Sequence, residues 1–150
     1  MNKSKIKLLL SQKSYEPQLS ICIPTLNRPK KFYKLLSKIS SELTSSIEIV
    51  VRDDSENNES VINFKKILKN YNFQHQYFKG NPDGLDKANL FLLEKARGKY
   101  IWWFGDDDLL INKGIKCIVE FTKLNPDISF IWANFRQGNS DKLACSENSR

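Results

Sequence analysis

Short unbroken apolar runs alternate along this chain with longer stretches whose apolar residues recur every three or four positions, and few folds accommodate that rhythm. Leu19-Ser20-Ile21-Cys22-Ile23, stopped by Pro24, reads as a buried strand. Asn27 is expected to cap, and Pro29 to open, a helix carrying Phe32, Leu35, Leu36, Ile39 and Leu43 at helical spacing. Ile47 to Val51 is a second strand, and Val61, Phe64, Ile67, Leu68 and Tyr71 mark a second helix. Phe73 to Phe78 is a third strand. Asn81-Pro82-Asp83-Gly84 then turns the chain into a helix with Leu85, Ala88, Leu92 and Ala96 inward and Gly98 as its stop. Tyr100 to Phe104 is strand four, Ile115, Ile118, Val119 and Thr122 define helix four, and Ile128 to Ala133 is a fifth strand.

The order βαβαβαβαβ implies right-handed crossovers and a mostly parallel sheet with helices on both faces, which is why its strands read as continuous apolar runs. Residues 1–18 form a loose lead-in, 19–134 the α/β domain, and 135–150 a polar tail, frayed or cut from something longer. At 150 residues one core is expected. A tail this polar leaves sheet surface uncovered, so either a missing C-terminal portion or self-association as a homo-oligomer is expected.

Composition narrows the setting. Hydrophobic residues at 40% and charged residues at 27% exclude a disordered chain. No apolar run approaches the roughly 18 residues of a spanning helix, and Ile6 to Leu10, broken by Lys7 with no small-residue cleavage site after it, is not a secretory signal. Cys22, Cys117 and Cys145 are odd in number and widely spaced, with His75 the only histidine. Neither a disulfide framework nor a zinc site is indicated, which fits a reducing cytoplasm, with any membrane contact peripheral at its inner face. The net charge of +7 eases attraction of anionic partners, although lysines such as those between Arg28 and Lys38 also read as a solvated face.

In an open α/β sheet, ligands bind beyond the carboxyl ends of the strands. The residues there are Pro24-Thr25-Leu26-Asn27 after strand one, Asp53-Asp54-Ser55 after strand two and Gly105-Asp106-Asp107-Asp108 after strand four. Three adjacent carboxylates repel one another, and a hard cation such as Mn²⁺ or Mg²⁺, shared with a diphosphate, relieves that repulsion. The plainer alternative is that Asp106 or Asp108 caps the next helix. Asp53 or Asp54 suits a base N–H or ribose hydroxyls, Pro24 and Thr25 offer a backbone edge and one hydroxyl, and Lys87 and Arg97 are candidates for phosphate neutralisation. Each of these also has a turn-forming or solvated reading. His75 reads as a surface residue. GxxxxGK(S/T), GxGxxG after strand one, GxSxG and a Cys-His pair are all lacking, which argues against a P-loop NTPase, a dinucleotide oxidoreductase, a serine hydrolase and a thiol enzyme. The aromatic residues fall in apolar strands and helices, so no nucleic-acid partner is expected.

Leu19 to Arg28, Glu48 to Ser55 and Ala96 to Leu109, in this order and spacing, resemble the family-two glycosyltransferases of the GT-A fold. The aromatic strand before the triple Asp is most similar to the branch containing abequosyltransferases and other O-antigen or capsule transferases. The resemblance implies a Rossmann-like sheet, incomplete at the C-terminus, that binds a nucleotide-sugar donor, by preference UDP-linked. It implies that Pro24 and Thr25 line the base, that Asp53 or Asp54 contacts uracil or ribose, and that the Asp106 to Asp108 triplet is the metal site; Asn27, Lys87, Asp106 and Asp107 complete the expected nucleotide-binding set. Asp106 and Asp108 are then the ligands of Mn²⁺ or Mg²⁺, and a glycan or lipid-linked molecule is the acceptor. Two positions depart from the family pattern: Arg52 replaces a small or acidic residue, and Ser55-Glu56 replaces Gly-Ser. By the resemblance, the general base of inverting transfer is expected in a further portion beyond these residues. The alternative expectation is therefore a donor-binding module without catalytic competence.

Overall fold

The computed structural model describes residues 16–133. Four strands, β1 (Leu19–Thr25), β2 (Ile47–Asp53), β3 (Gln74–Lys79) and β4 (Tyr100–Trp103), alternate with four helices. The helices are α1 (Pro29–Ile39), α2 (Glu59–Leu68), α3 (Leu85–Lys95) and α4 (Gly114–Leu124), and a 3₁₀ turn over Ser40–Glu42 follows α1. All strand pairs are parallel, in the order β3-β2-β1-β4.

This order places the helices. From β1 to β2 and from β2 to β3 the chain moves one way across the sheet, so right-handed crossovers put α1 and α2 on one face. From β3 it returns past β2 and β1 to reach β4, and α3 lies on the other face. Packing agrees: Leu19, Ile21, Ile23, Ile47, Ile49 and Val51 meet Phe32, Leu36, Phe64, Ile67, Ile115 and Val119 in the main core. Cys22 and Val50 point oppositely, against Leu92 of α3. β1 and β2 are therefore buried on both faces, whereas β3 and β4 are edge strands and only partly covered. Burial and the Glu48 carboxylate push the Cys22 thiol up to about 12, so it packs as an inert small hydrophobe.

Several sequence expectations are corrected. Ile128 to Ala133 is not a strand. After α4 the chain turns at Asn125-Pro126-Asp127, and this segment is tied to the start of β4 by Tyr100 Oη donating to the Ile128 carbonyl (2.8 Å) and Lys99 Nζ to that of Pro126 (2.8 Å). Asn27 does not cap α1: it takes a left-handed φ of 54°, which Asn tolerates better than most residues, and Arg28 occupies the cap position with no side-chain cap bond. α3 ends at Lys95, before Gly98, and α2 ends at Leu68, leaving Tyr71 in the turn beyond it. Of the expected lead-in only residues 16–18 are described, and the Pro17 and Gln18 carbonyls already accept from the amides of Lys99 and Tyr100. The polar tail lies outside the described residues.

Candidate donor site

The strand order reverses between β1 and β4, and their carboxyl ends splay into the crevice where open α/β sheets bind ligands. A cleft of about 320 Å³ opens there, lined by Pro24, Thr25, Arg28, Asp54, Gly105, Asp106 and Asp107 among others. Phe104 continues the β4 ladder by donating its amide to the Cys22 carbonyl at 2.9 Å, which carries the chain to Asp106 opposite Thr25. Thr25 is buried, and its hydroxyl donates to Asp106 Oδ2 at 2.7 Å. The threonine thus orients the first aspartate of the triplet and is not a free hydroxyl in the cleft.

Above the triplet lies the start of α1. Arg28 Nη1 reaches Asp106 Oδ1 at 3.2 Å and Asp107 Oδ2 at 3.1 Å, and Lys31 Nζ reaches the same Asp107 oxygen at 3.0 Å. The hydrogen bond from Lys31, aided by its charge and that of Arg28, holds the Asp107 carboxyl below the usual range. The first turn of α1 contains no acidic residue, although the helix dipole disfavours basic side chains there. That signal is present in the sequence, where the same lysines also fit a solvated face. Asp108 is exposed and turns back, accepting from the Gly105 amide at 2.8 Å. Since α4 starts at Gly114, neither Asp106 nor Asp108 caps it, and the helix-cap alternative is removed.

The acidic pair after β2 divides. Asp53 is fully buried and faces α1 and α2, where it accepts from the Ser55 amide (3.0 Å), Tyr77 Oη (2.7 Å) and Lys79 Nζ (3.2 Å). Burial, then the bond to Asp53, pushes the Tyr77 hydroxyl pKa upward, so it stays a donor. Asp54 instead lines the cleft, with Oδ1 bound to Arg52 Nε at 2.7 Å. Asn27 gives its amide to Ser55 Oγ at 2.7 Å, joining the two loops beside the cleft. Lys87 is exposed on the first turn of α3, next to the lining residue Ala88. Arg97 sits far from the cleft: it binds Glu48 near the amino ends of the strands, about five residues or ~16 Å down the sheet. His75 packs against Phe64 and Phe73.

Among the described residues no three Asp, Glu, His or Cys side chains already converge as a metal cage. The donor set nevertheless fits a hard cation: three consecutive carboxylates offer only oxygen, and two of them already draw the positive charge of Arg28 and Lys31. Mg²⁺-type ions need only one or two such carboxylates beside substrate phosphates.

The parallel sheet and the crevice between β1 and β4 define an open α/β domain with a ligand site at its switch point, as expected of the GT-A fold. Comparison with known proteins agrees: residues 20–146 match the family Glycosyl transferase family 2, and the chain belongs to it. It is 30% identical over 113 residues to abequosyltransferase RfbV of Salmonella typhimurium, covering 73% of this chain and 34% of that protein. Over 133 residues it is 26% identical to the GalNAc(5)-diNAcBac-PP-undecaprenol beta-1,3-glucosyltransferase of Campylobacter jejuni, covering 84% and 41%. The chain thus spans less than half the length of these relatives. Among solved structures, the mannosyltransferase PcManGT of Pyrobaculum calidifontis, in complex with GDP-Man and Mn²⁺, superposes with a TM-score of 0.62 at 17% identity, covering 83% of this chain and 39% of that one. S. aureus TarS superposes with a TM-score of 0.61 at 22% identity, covering 73% and 20%. These likenesses show the fold. Among the described residues no helix is long and apolar enough to cross a membrane.

Proposed function

We propose that this domain is the donor-binding part of a metal-dependent, inverting glycosyltransferase that moves a sugar from a nucleoside-diphosphate donor to a surface-polysaccharide or glycolipid precursor. The observation that carries the reading is the Thr25–Asp106 bond at the sheet's switch point, with Arg28 and Lys31 poised over the triplet. Pro24 and Asp54 hold the nucleoside, and Arg28 and Lys31 turn from Asp107 to the diphosphate when it arrives. Thr25 keeps the Asp106 carboxylate aimed into the cleft. Asp106 and Asp108 are the residues that would hold Mn²⁺ or Mg²⁺, which when bound neutralises charge on the departing nucleoside diphosphate. Mn²⁺ accompanies GDP-Man in the PcManGT complex, and TarS has been solved with UDP-GlcNAc, which supports donors of this class. The C. jejuni relative's undecaprenol-linked acceptor supports a lipid-linked acceptor reached at the cytoplasmic face of a membrane.

Calorimetric titration of UDP with and without Mn²⁺, repeated after changing Asp106 and Asp108 to Ala, tests this. Metal-dependent binding that the double substitution abolishes is expected. UDP, GDP, CDP and dTDP all failing to bind in the presence of Mn²⁺ would overturn the reading.

A further inference from the structure

Arg52, at the end of β2, is held in an arrangement that the donor-site reading does not use. Its side chain is only 11% exposed and that of its partner Asp54 only 7%. Nε donates to Asp54 Oδ1 at 2.7 Å, Nη2 reaches the Asn81 carbonyl at 3.4 Å, and the guanidinium lies 4.9 Å from the centre of the Phe91 ring. Gly80 seals the pair from below: a Cβ there would stand 2.3 Å from Asp54 Oδ1 and 2.7 Å from Arg52 Nε. The guanidinium is thus held by a carboxylate, a carbonyl and an aromatic face, and cannot leave Asp54 without losing all three.

One consequence concerns the cleft. Asp54 lines it, but Oδ1 is committed to Arg52, and among the described residues Oδ2 has no hydrogen-bond partner. A free carboxylate offers two parallel acceptors, the match for the adjacent N1–H and N2–H donors of guanine. A carboxylate with one oxygen taken offers a single acceptor beside a cation, the match for one imide N–H flanked by carbonyls, as in uracil and thymine. Guanine at this position leaves a donor unpaired in a partly dry site, and an unpaired polar group is where base discrimination is strongest.

We infer that Arg52 is a specificity-determining residue, which by occupying one oxygen of Asp54 selects donors whose base carries a single imide N–H and rejects guanine. This rests on the cleft being the nucleotide site.

The test measures dissociation constants of UDP, dTDP and GDP with Mn²⁺ for the unaltered chain and for Arg52→Met. In the unaltered chain UDP or dTDP binds at least about tenfold more tightly than GDP, the size of one charge-assisted hydrogen bond. The UDP and dTDP arms tell uracil from thymine. Arg52→Met frees Oδ1, and the preference over GDP shrinks by about tenfold. GDP binding as tightly as UDP and dTDP in the unaltered chain overturns the inference and leaves the donor site standing, a result that requires no variant to fold. A preference that persists unchanged in Arg52→Met, with native circular dichroism, also overturns it. Failure of UDP, dTDP and GDP to bind overturns this inference, and the failure of CDP as well overturns the donor-site reading with it.

Discussion

Glu48 is a carboxylate inside a strand, fully buried, and its removal is the sharpest stability test the fold offers. It accepts from Ser20 Oγ at 2.7 Å, from the Arg97 amide at 2.6 Å, and from Arg97 Nε and Nη2 at 2.9 and 2.7 Å, with Gln76 Nε2 at 3.3 Å. Burial alone would raise its carboxyl, but the bonds from Ser20 and from the Arg97 amide and guanidinium outweigh it and hold it below the ordinary 4.5. Glu48→Ala strands the Ser20 hydroxyl and the Arg97 amide, each costing about 1–3 kcal/mol. Arg97 itself is 54% exposed and turns to water, so the full penalty of an orphaned buried charge does not apply. The sum is about 2–6 kcal/mol, or a melting point lower by roughly 5–20 °C. Glu48→Gln keeps the volume and one acceptor and costs less. Because the folded-state carboxyl is depressed, its contribution is fully present above the unfolded value and is lost as pH falls through the folded value. Urea unfolding followed by tryptophan fluorescence should therefore show Glu48→Gln less stable than the unaltered chain at neutral pH, with the gap closing in acid. Equal stability at neutral pH, or a gap that ignores acid, would refute the reasoning.

Thr25→Val removes the hydroxyl that aims Asp106 while keeping the β-branched shape, and Mn²⁺-dependent UDP affinity should fall about tenfold; calorimetry checks it, and unchanged affinity would mean Asp106 is placed by the backbone alone. Arg28→Ala together with Lys31→Ala should weaken UDP more than uridine and flatten the salt dependence of UDP binding, whereas equal loss for both ligands would remove these residues from the diphosphate. At Gly98 a Cβ would stand 2.6 Å from the Ser20 amide and 2.9 Å from the Leu19 carbonyl carbon, so Gly98→Ala must push β4 off β1; a thermal melt within error of the unaltered chain would contradict that geometry. The edge strand β4 and the helix beside it expose Trp103, Leu90 and Leu93, and light scattering should show mass rising with concentration; a monodisperse monomer would count against self-association.

What the sequence made legible, and what it hid, follows from the range of each signal. Apolar runs and helical periodicity are local, and they placed the four strands and four helices to within a few residues, because a strand buried on both faces has little freedom in composition. The crevice was legible too, since topology alone says that residues following β1, β2 and β4 share one edge. Ile128 to Ala133 has strand composition, but whether such a run pairs depends on where the preceding turn releases it, and the bonds from Lys99 and Tyr100 hold it elsewhere. Asp53 and Asp54 are alike as residue types, but Asp53 shares the parity of Ile49 and Val51 and so turns toward Tyr77 and Lys79, while Asp54 lines the cleft; that alternation was legible once β2 was placed. Arg97 and Arg28 show the limit of local signals from opposite sides. Both are basic residues at helix ends, and only the three-dimensional register decides that Arg97 meets a buried glutamate at the far end of the sheet while Arg28 meets the aspartate triplet. The clue that could have ranked them was electrostatic: a basic first turn opposes its own helix dipole unless an anion is near, whereas Arg97, following a helix C-terminus, is where a cation is at ease and needs no ligand to explain it.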